Sequence, residues 1–409
     1  MLNKVWGAFF LVAFVVALGK SIFFADYGVW ALMVSAAFDM SKVGFEISLG
    51  LTGIMCLWLG IMRLGEKGGA VDLLARAFGP LLRRLFPGVP NGHPAMGSIV
   101  MNMAANMLGL DNAATPLGLK AMKELQELNP DPEQASNDQI LFLVVNTSAV
   151  TVIPATIFVY RAQMGAADPT DVFIPMLIAT FASTMVGLGT TAFVQRLRLW
   201  DPVILVYLGG LTALVSGMIA YFSRLDRDAM ELQSSVLSNL VIFLVIVSFV
   251  FLASRRRLPL YDTFVEGAKD GFNVAVGIIP YLVAMLVAIG IVRASGALDL
   301  VLDGVRFAVG STGLDARWVD ALPTALMRPL SGSGARGLML EAMKAHGADS
   351  FLGRLVSVIQ GSTETTFYVL AVYFGSVGIR RTRHALACGL AADVAGAVAA
   401  ILVCYLFFG

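Results

Sequence analysis

The chain has 409 residues, 57% of them hydrophobic and 14% charged, with a formal net charge of +1 and a mean hydropathy of +0.79. Soluble domains carry about 25% charged residues, so this is the composition of an all-α polytopic membrane protein, with the lipid bilayer as its principal partner. A nearly neutral chain whose Lys and Arg residues fall in short loops offers no basic face, which excludes nucleic-acid binding.

In chain order, apolar runs of about 20 residues predict spans over 2–24, 44–62, 138–160, 172–195, 203–222, 236–253, 272–292, 351–375 and 384–408. The first follows Lys4 and could be taken for a signal peptide. No small-x-small cleavage pattern follows it, and 236–253 is its counterpart later in the chain, so it is read as a retained helix. Two stretches, EKGGAVDLLARAFGPLLRRLF at 66–86 and GALDLVLDGVRFAV at 296–309, space Leu, Val and Phe helically with charges between, which predicts helices lying in the interface. Each is followed by a region, 93–127 and 319–346, that is apolar enough to enter the membrane but is interrupted at its middle by Pro, Gly, Asn and Ser. Both are expected to be re-entrant hairpins of two half-helices.

The two halves resemble each other. SKVGFEISLG at 41–50 matches AKDGFNVAVG at 268–277, and the same spacing carries Gly69, Ala70 and Asp72 onto Gly296, Ala297 and Asp299. Further on, LKAMK at 119–123 parallels LEAMK at 340–344, VVNTS at 144–148 parallels VIQGS at 358–362, and MVG at 185–187 parallels VAG at 394–396. An even number of spans per copy, with the extra helix at 203–222 between copies, inverts the second copy. The expected organisation is a first repeat at 1–200, a linking helix and external loop at 201–235, and a second, inverted repeat at 236–409, each with an interfacial helix, a re-entrant hairpin and broken transmembrane helices. Basic clusters such as Arg83 and Arg84, Arg196 and Arg198, Arg255 to Arg257, and Arg380 and Arg381 fall in loops that this topology places inside, with the N-terminus cytoplasmic. The expected location is the cytoplasmic membrane of a bacterium.

Polar peptide at membrane depth survives only against protein or a wet cavity. The first hairpin holds NMAANMLGLDNAATP (102–116), the second MRPLSGSGARG (327–337), and the helices after them VNTSAVTVIP (145–154) and IQGSTETTFY (359–368). The turn at each hairpin starts a half-helix whose unpaired N–H groups favour negative charge. Asn146 and Gln360, equivalent under the repeat, can donate and accept hydrogen bonds toward a solute. Glu364 has no cation within one helical turn in sequence, which points to binding or ion coupling. Asp111 and Asn112 can cap a half-helix as well as line a site. Arg328 and Arg336 fit either a cavity or external water, Asp393 fits a structural pair with a basic group, and Thr151, Thr363 and Thr365 can bond back to their own helices.

Enzyme constellations are lacking, so the chain is not read as an enzyme and no cofactor is expected. His93, His346 and His384 lie far apart near membrane edges, and GSGARG has neither the lysine nor the preceding strand of a P-loop. Cys56, Cys388 and Cys404 lie in apolar runs and read as packing residues.

The stretch NGHPAMGSIVMNMAANMLGLDNAATPLGLKAMKELQ resembles spore maturation protein A, and LSGSGARGLMLEAMKAHGADSFLGRLVSVIQGSTETTFYVLAVYFGSVGIRRTRHAL resembles spore maturation protein B. The chain therefore looks like a fusion of the two, each half carrying a nucleoside recognition, or gate, domain similar to the core of concentrative nucleoside transporters. That resemblance implies an interfacial helix, a hairpin and a partly unwound helix in each half, with solute held at hairpin tips and unwound segments and transport driven by sodium or protons. The positions it implies are Asn106, Asp111, Asn112 and Thr115; Asn146, Thr147 and Ser148; Ser331, Ser333 and Arg336; and Gln360, Ser362, Thr363 and Glu364. Asp111 and Glu364 are its candidates for ion coupling. The expected function is secondary transport of a small polar organic solute, nucleoside-like, anionic or zwitterionic, with the 203–222 helix available for a homo-oligomer contact. A membrane ligand sensor or scaffold in envelope or spore-maturation physiology, or a channel, is the rival reading.

Overall fold

The computed structural model describes residues 2–148, 151–313 and 315–409; the side chains of residues 2, 3, 5, 111–113 and 227 lie outside that description. The described chain is helical, with seven helices long and apolar enough to cross a membrane. Helix α1 (Leu2–Phe24) leads into α2 (Gly28–Gly68), which is 41 residues long and takes in the expected 44–62 span together with a stretch the hydropathy reading passed over. Gly69, with φ of 92°, turns α2 into the amphipathic α3 (Ala70–Leu85). Glycine adopts this left-handed geometry without the steric cost a Cβ imposes.

A helix–turn–helix, α4 (Pro94–Met107) and α5 (Asp111–Glu127), comes next. It precedes α6 (Asn137–Thr147), α7 (Ala155–Gln163), α8 (Phe173–Gln195), α9 (Pro202–Phe222) and α10 (Arg227–Arg255). The order then recurs. Helices α11 (Leu260–Gly277) and α12 (Ile279–Ser295) meet at Ile278, where Pro280 cannot donate to the preceding turn. Gly296, with φ of 80°, turns α12 into α13 (Ala297–Gly310). A second helix–turn–helix follows as α14 (Leu322–Met327) and α15 (Gly332–His346), then α16 (Phe351–Ser362), α17 (Thr366–Ser376) and α18 (Ala385–Phe408).

Two expected spans are corrected. Hydropathy predicts continuous helices over 138–160 and 351–375, but α6 ends at Thr147 and α7 resumes only at Ala155, while α16 ends at Ser362 and α17 resumes at Thr366. The physical reasons are local. Pro154 removes a donor and excludes helical geometry before it, and the run Thr363–Glu364–Thr365 crowds β-branched side chains, leaving Thr363 and Thr365 extended.

The largest apolar cluster joins α2, α7, α8, α12, α16 and α18. Long apolar surfaces on α1, α9 and α10 stay outside it, with Val15, Val206 and Phe243 exposed, as suits helices solvated by lipid. One contact missed from sequence ties the early and late parts of the chain together. Arg161, wholly buried at the end of α7, donates to Asp171 at 2.8 Å, to the Ala348 carbonyl at 2.8 Å and to Asp349 at 3.1 Å. Arg354 donates to the other oxygen of Asp171 at 2.7 Å. Replacing Arg161 by Met is expected to strip these buried carboxylate and carbonyl groups of their donor and cost about 3–5 kcal/mol. A melt of purified protein in detergent checks this; an unchanged midpoint would mean that the network carries no stability.

Candidate functional site

The sites where helices stop determine where polar groups gather. At the first helix–turn–helix, Gly109 has φ of 69°, and a Cβ there would stand 2.6 Å from the Ile153 carbonyl oxygen, so the turn lies directly against the break between α6 and α7. Val152 N–H completes that contact by donating to the Met107 carbonyl at 2.8 Å. The second turn is met in the same way, Phe367 N–H donating to the Pro329 carbonyl at 3.0 Å. The two breaks also meet each other, because Glu364 N–H donates to the Thr147 carbonyl at 2.8 Å. Backbone groups freed by breaking a helix thus find partners in another broken segment.

A cavity of about 590 Å³ opens between these elements. Asn106, Thr115, Asn146, Ser331, Ser333, Arg336, Gln360, Thr363 and Glu364 line it, as do Thr151 and Arg328. Thr147, Ser148 and Ser362 are buried beside it and do not line it; Ser148 and Ser362 donate back to Val145 and Ile359 of their own helices at 3.0 and 2.9 Å. Asp111 and Asn112 start α5, but their side chains lie outside the described residues, so their expected roles are not placed.

One wall is an amide chain. Asn146 donates to the Phe142 carbonyl at 2.8 Å, which fixes its side chain. Its oxygen then accepts from Asn106 at 2.8 Å and from the Tyr373 hydroxyl at 3.4 Å, and Asn106 also donates to Asn102 at 3.3 Å. Opposite, Gln360 donates weakly to the Gly332 carbonyl at 3.4 Å, and its buried oxygen finds no donor among the described residues.

The other wall is charged. Ser331 caps α15, accepting from Gly334 N–H at 3.0 Å, and the first turn of α15 faces the cavity through Gly332 and Ser333. Arg336 lies over the Tyr160 ring at 5.2 Å. Arg328 is 7% exposed, which settles its alternative readings in favour of burial. Its guanidinium bonds the Thr363 carbonyl and, at 3.3 Å, the Thr365 hydroxyl, bracing the break between α16 and α17. It also stands 3.6 Å from Glu364. Glu364 is therefore not isolated as its sequence neighbours suggested: its cation arrives across a turn, 36 residues earlier in the chain. Asp393 has no structural ion pair among the described residues and accepts instead from Thr366 at 2.5 Å. Tyr368 and Tyr373, which also line the cavity, were not singled out, since an aromatic after a polar run reads as ordinary packing.

Arg328, Arg336 and Glu364, together with a helix N-terminus, make one wall of the pocket charged, and the amides opposite can orient a polar solute. Residues 48–167 and 275–380 match the gate family, described as nucleoside recognition. The chain belongs to this family. It is 47% identical over 173 residues to spore maturation protein B of Bacillus subtilis strain 168, a match covering 42% of this chain and 96% of that protein. It is 38% identical over 189 residues to spore maturation protein A of the same organism, covering 46% of this chain and 91% of that protein. The two matches occupy separate halves, consistent with a fusion. Both gate matches take in a helix–turn–helix and the broken helix after it, the elements that build the cavity.

The two members of the charged pair are unequal. Arg328→Met is expected to lower stability by about 2–3 kcal/mol, since it frees a buried carbonyl from a charged donor. Glu364→Gln, at a half-exposed group, is expected to cost less than about 1 kcal/mol. Melting midpoints in detergent test the order, and a larger loss for Glu364→Gln would contradict it.

Proposed function

We propose that this gate protein is a secondary transporter that moves a small polar organic solute, nucleoside-like or an anionic or zwitterionic metabolite, across a bacterial cytoplasmic membrane. The carrying observation is the 590 Å³ cavity built where two helix–turn–helix tips meet two broken helices, lined by Arg336, Asn146 and Gln360. Broken helices at such a junction recur in secondary transporters, because they bring unpaired backbone groups and charges to a solute without exposing them to lipid.

In this reading 1–200 and 236–409 are two inverted repeats joined by 201–235. Each helix–turn–helix is a re-entrant hairpin, and α3 and α13 lie in opposite interfaces. Supporting it, a glycine turn, an amphipathic helix, a helix–turn–helix and a broken helix follow in the same order twice. The distribution of basic loops supports a cytoplasmic N-terminus. Solute access alternates between faces as one repeat rocks against the other, driven by a sodium or proton gradient, with Glu364 and Asp111 as the candidate acidic groups for coupling. Arg336 and the start of α15 hold the anionic group, and Asn146 and Gln360 orient the rest. The exposed apolar face of α9 is available for a contact between copies.

A melt screen of purified protein against nucleosides, amino acids, peptides and aromatic dicarboxylates identifies the solute, since a ligand that prefers the folded state raises the midpoint. In proteoliposomes, flux of that solute is expected to saturate and to follow an imposed ion gradient. Arg336→Ala is expected to weaken apparent affinity on the order of 10- to 100-fold, the loss of one charge-assisted hydrogen bond, and Glu364→Gln to reduce coupled flux. Binding without flux would assign a sensor, gradient-independent and unsaturable flux a channel; either result overturns the transporter reading.

A further inference from the structure

The most unusual polar group of the interior takes no part in lining the cavity. Asp393 sits midway along the apolar α18, 6% exposed, in a helix otherwise fit to cross the membrane. One carboxylate oxygen accepts from the Thr366 hydroxyl at 2.5 Å; the other is buried and has no close hydrogen-bond partner among the described residues, although the Thr363 hydroxyl bears on the same carboxylate. Among the described residues, the hydroxyl oxygen of the wholly buried Thr147 lacks a partner too.

Both breaks crowd the face of α18 that bears Asp393. A Cβ at Gly389 would lie 2.8 Å from Thr366 Cγ2 and 3.6 Å from Thr147 Cγ2, and one at Gly396 would lie 2.7 Å from Thr363 Cγ2 and 3.2 Å from Ser362 Oγ. These glycines stand one turn before Asp393 and one turn after it, so residues from the ends of α6 and α16 flank the carboxylate on each side. The charges that bear on it are Arg328 and Glu364. Those two are 3.6 Å apart and largely offset each other, leaving the buried carboxylate without a dedicated counter-charge. In the first half the position matching Asp393 is Thr184, which donates to the Ser148 carbonyl at 3.4 Å. The carboxylate is therefore on one side only, with the hydroxyls of Thr366 and Thr363 against it.

We propose that Asp393, with the hydroxyls of Thr147, Thr363 and Thr366, forms a site for one dehydrated monovalent cation of sodium's size, placed between α18 and the two broken segments. The donor set is all hard oxygen with a single negative charge, which suits a singly charged alkali ion and matches none of the nitrogen and sulfur preferences of transition metals. Occupation would draw the Thr147 and Thr366 segments onto α18 and so set the geometry of the cavity wall that carries Thr363 and Glu364. As the coupling-ion site this rests on the transporter reading; as a cation site it stands alone.

The test uses the purified full chain, melted in detergent while sodium chloride replaces choline chloride at constant ionic strength. The wild type is expected to gain a saturable rise in midpoint, and potassium to give a smaller one. Asp393→Asn, which removes the charge and keeps the shape, is expected to be at least as stable as sodium-free wild type and blind to sodium. Thr147→Val is expected to move the half-saturating sodium concentration upward on the order of 10-fold, which keeps the test decisive should the Asp393 variant fail to fold. A wild type indifferent to sodium, a response retained in Asp393→Asn, or stabilisation that follows acidification alone would overturn the site, the second by putting sodium elsewhere and the third by assigning a proton in its place. Flux in proteoliposomes is a separate readout. Sodium binding without flux sinks the transporter and spares the site, whereas flux without sodium binding does the reverse.

Discussion

A backbone amide that leaves a helix within an apolar interior has no water to turn to, and this constraint organises the molecule. Four segments break helical geometry here, and their freed groups are satisfied by one another: Val152 by Met107, Phe367 by Pro329, and Glu364 by Thr147. A break alone in lipid would forfeit several kcal/mol per group. Brought together, the breaks stabilise each other and leave a polar space at their junction. The cavity is thus a consequence of how the backbone is satisfied, and its lining is drawn from both halves of the chain.

Once the backbone is accounted for, the side chains divide into groups that hold the junction and groups that face the space. Arg328 belongs to the first kind, since it is buried and grips the Thr363 carbonyl. Asn146 belongs to both, being fixed through Phe142 while its oxygen joins Asn106 and Tyr373. Arg161 does the corresponding work at the end of α7, where its carboxylate and carbonyl partners come from distant parts of the sequence. Charges that look out of place in an apolar chain are thereby matched to particular partners, which gives the fold its specificity as well as its polarity.

Much of this was legible in the residues because it is locally encoded. Glycines at 69 and 296, the charged stripes after them, and the polar interruptions near 109 and 331 each act through backbone geometry or periodicity, which sequence carries directly. Hydropathy failed between α6 and α7 and at 363–365, where a window average hides one proline or two β-branched residues. Pairings across the chain were also invisible. Nothing near Glu364 in sequence announces Arg328, and nothing near Arg161 announces Asp349, because such partners are set by tertiary packing. The site was foreseen as a set of segments; which hydroxyls face the cavity and which bond back to their own helix, as Ser148 and Ser362 do, depended on the angle at which each helix ends.

The central claim is that the two turn regions border one water-filled space at membrane depth. Its most direct test is thiol labelling of Thr115→Cys and Ser333→Cys, singly and together, in a background where Cys56, Cys388 and Cys404 are replaced by Ala. Both positions should react with a small, water-soluble reagent, and a bulky adduct at either should block the other. Positions that stay inert in intact membranes, or that react without regard to each other, would show that no shared space exists.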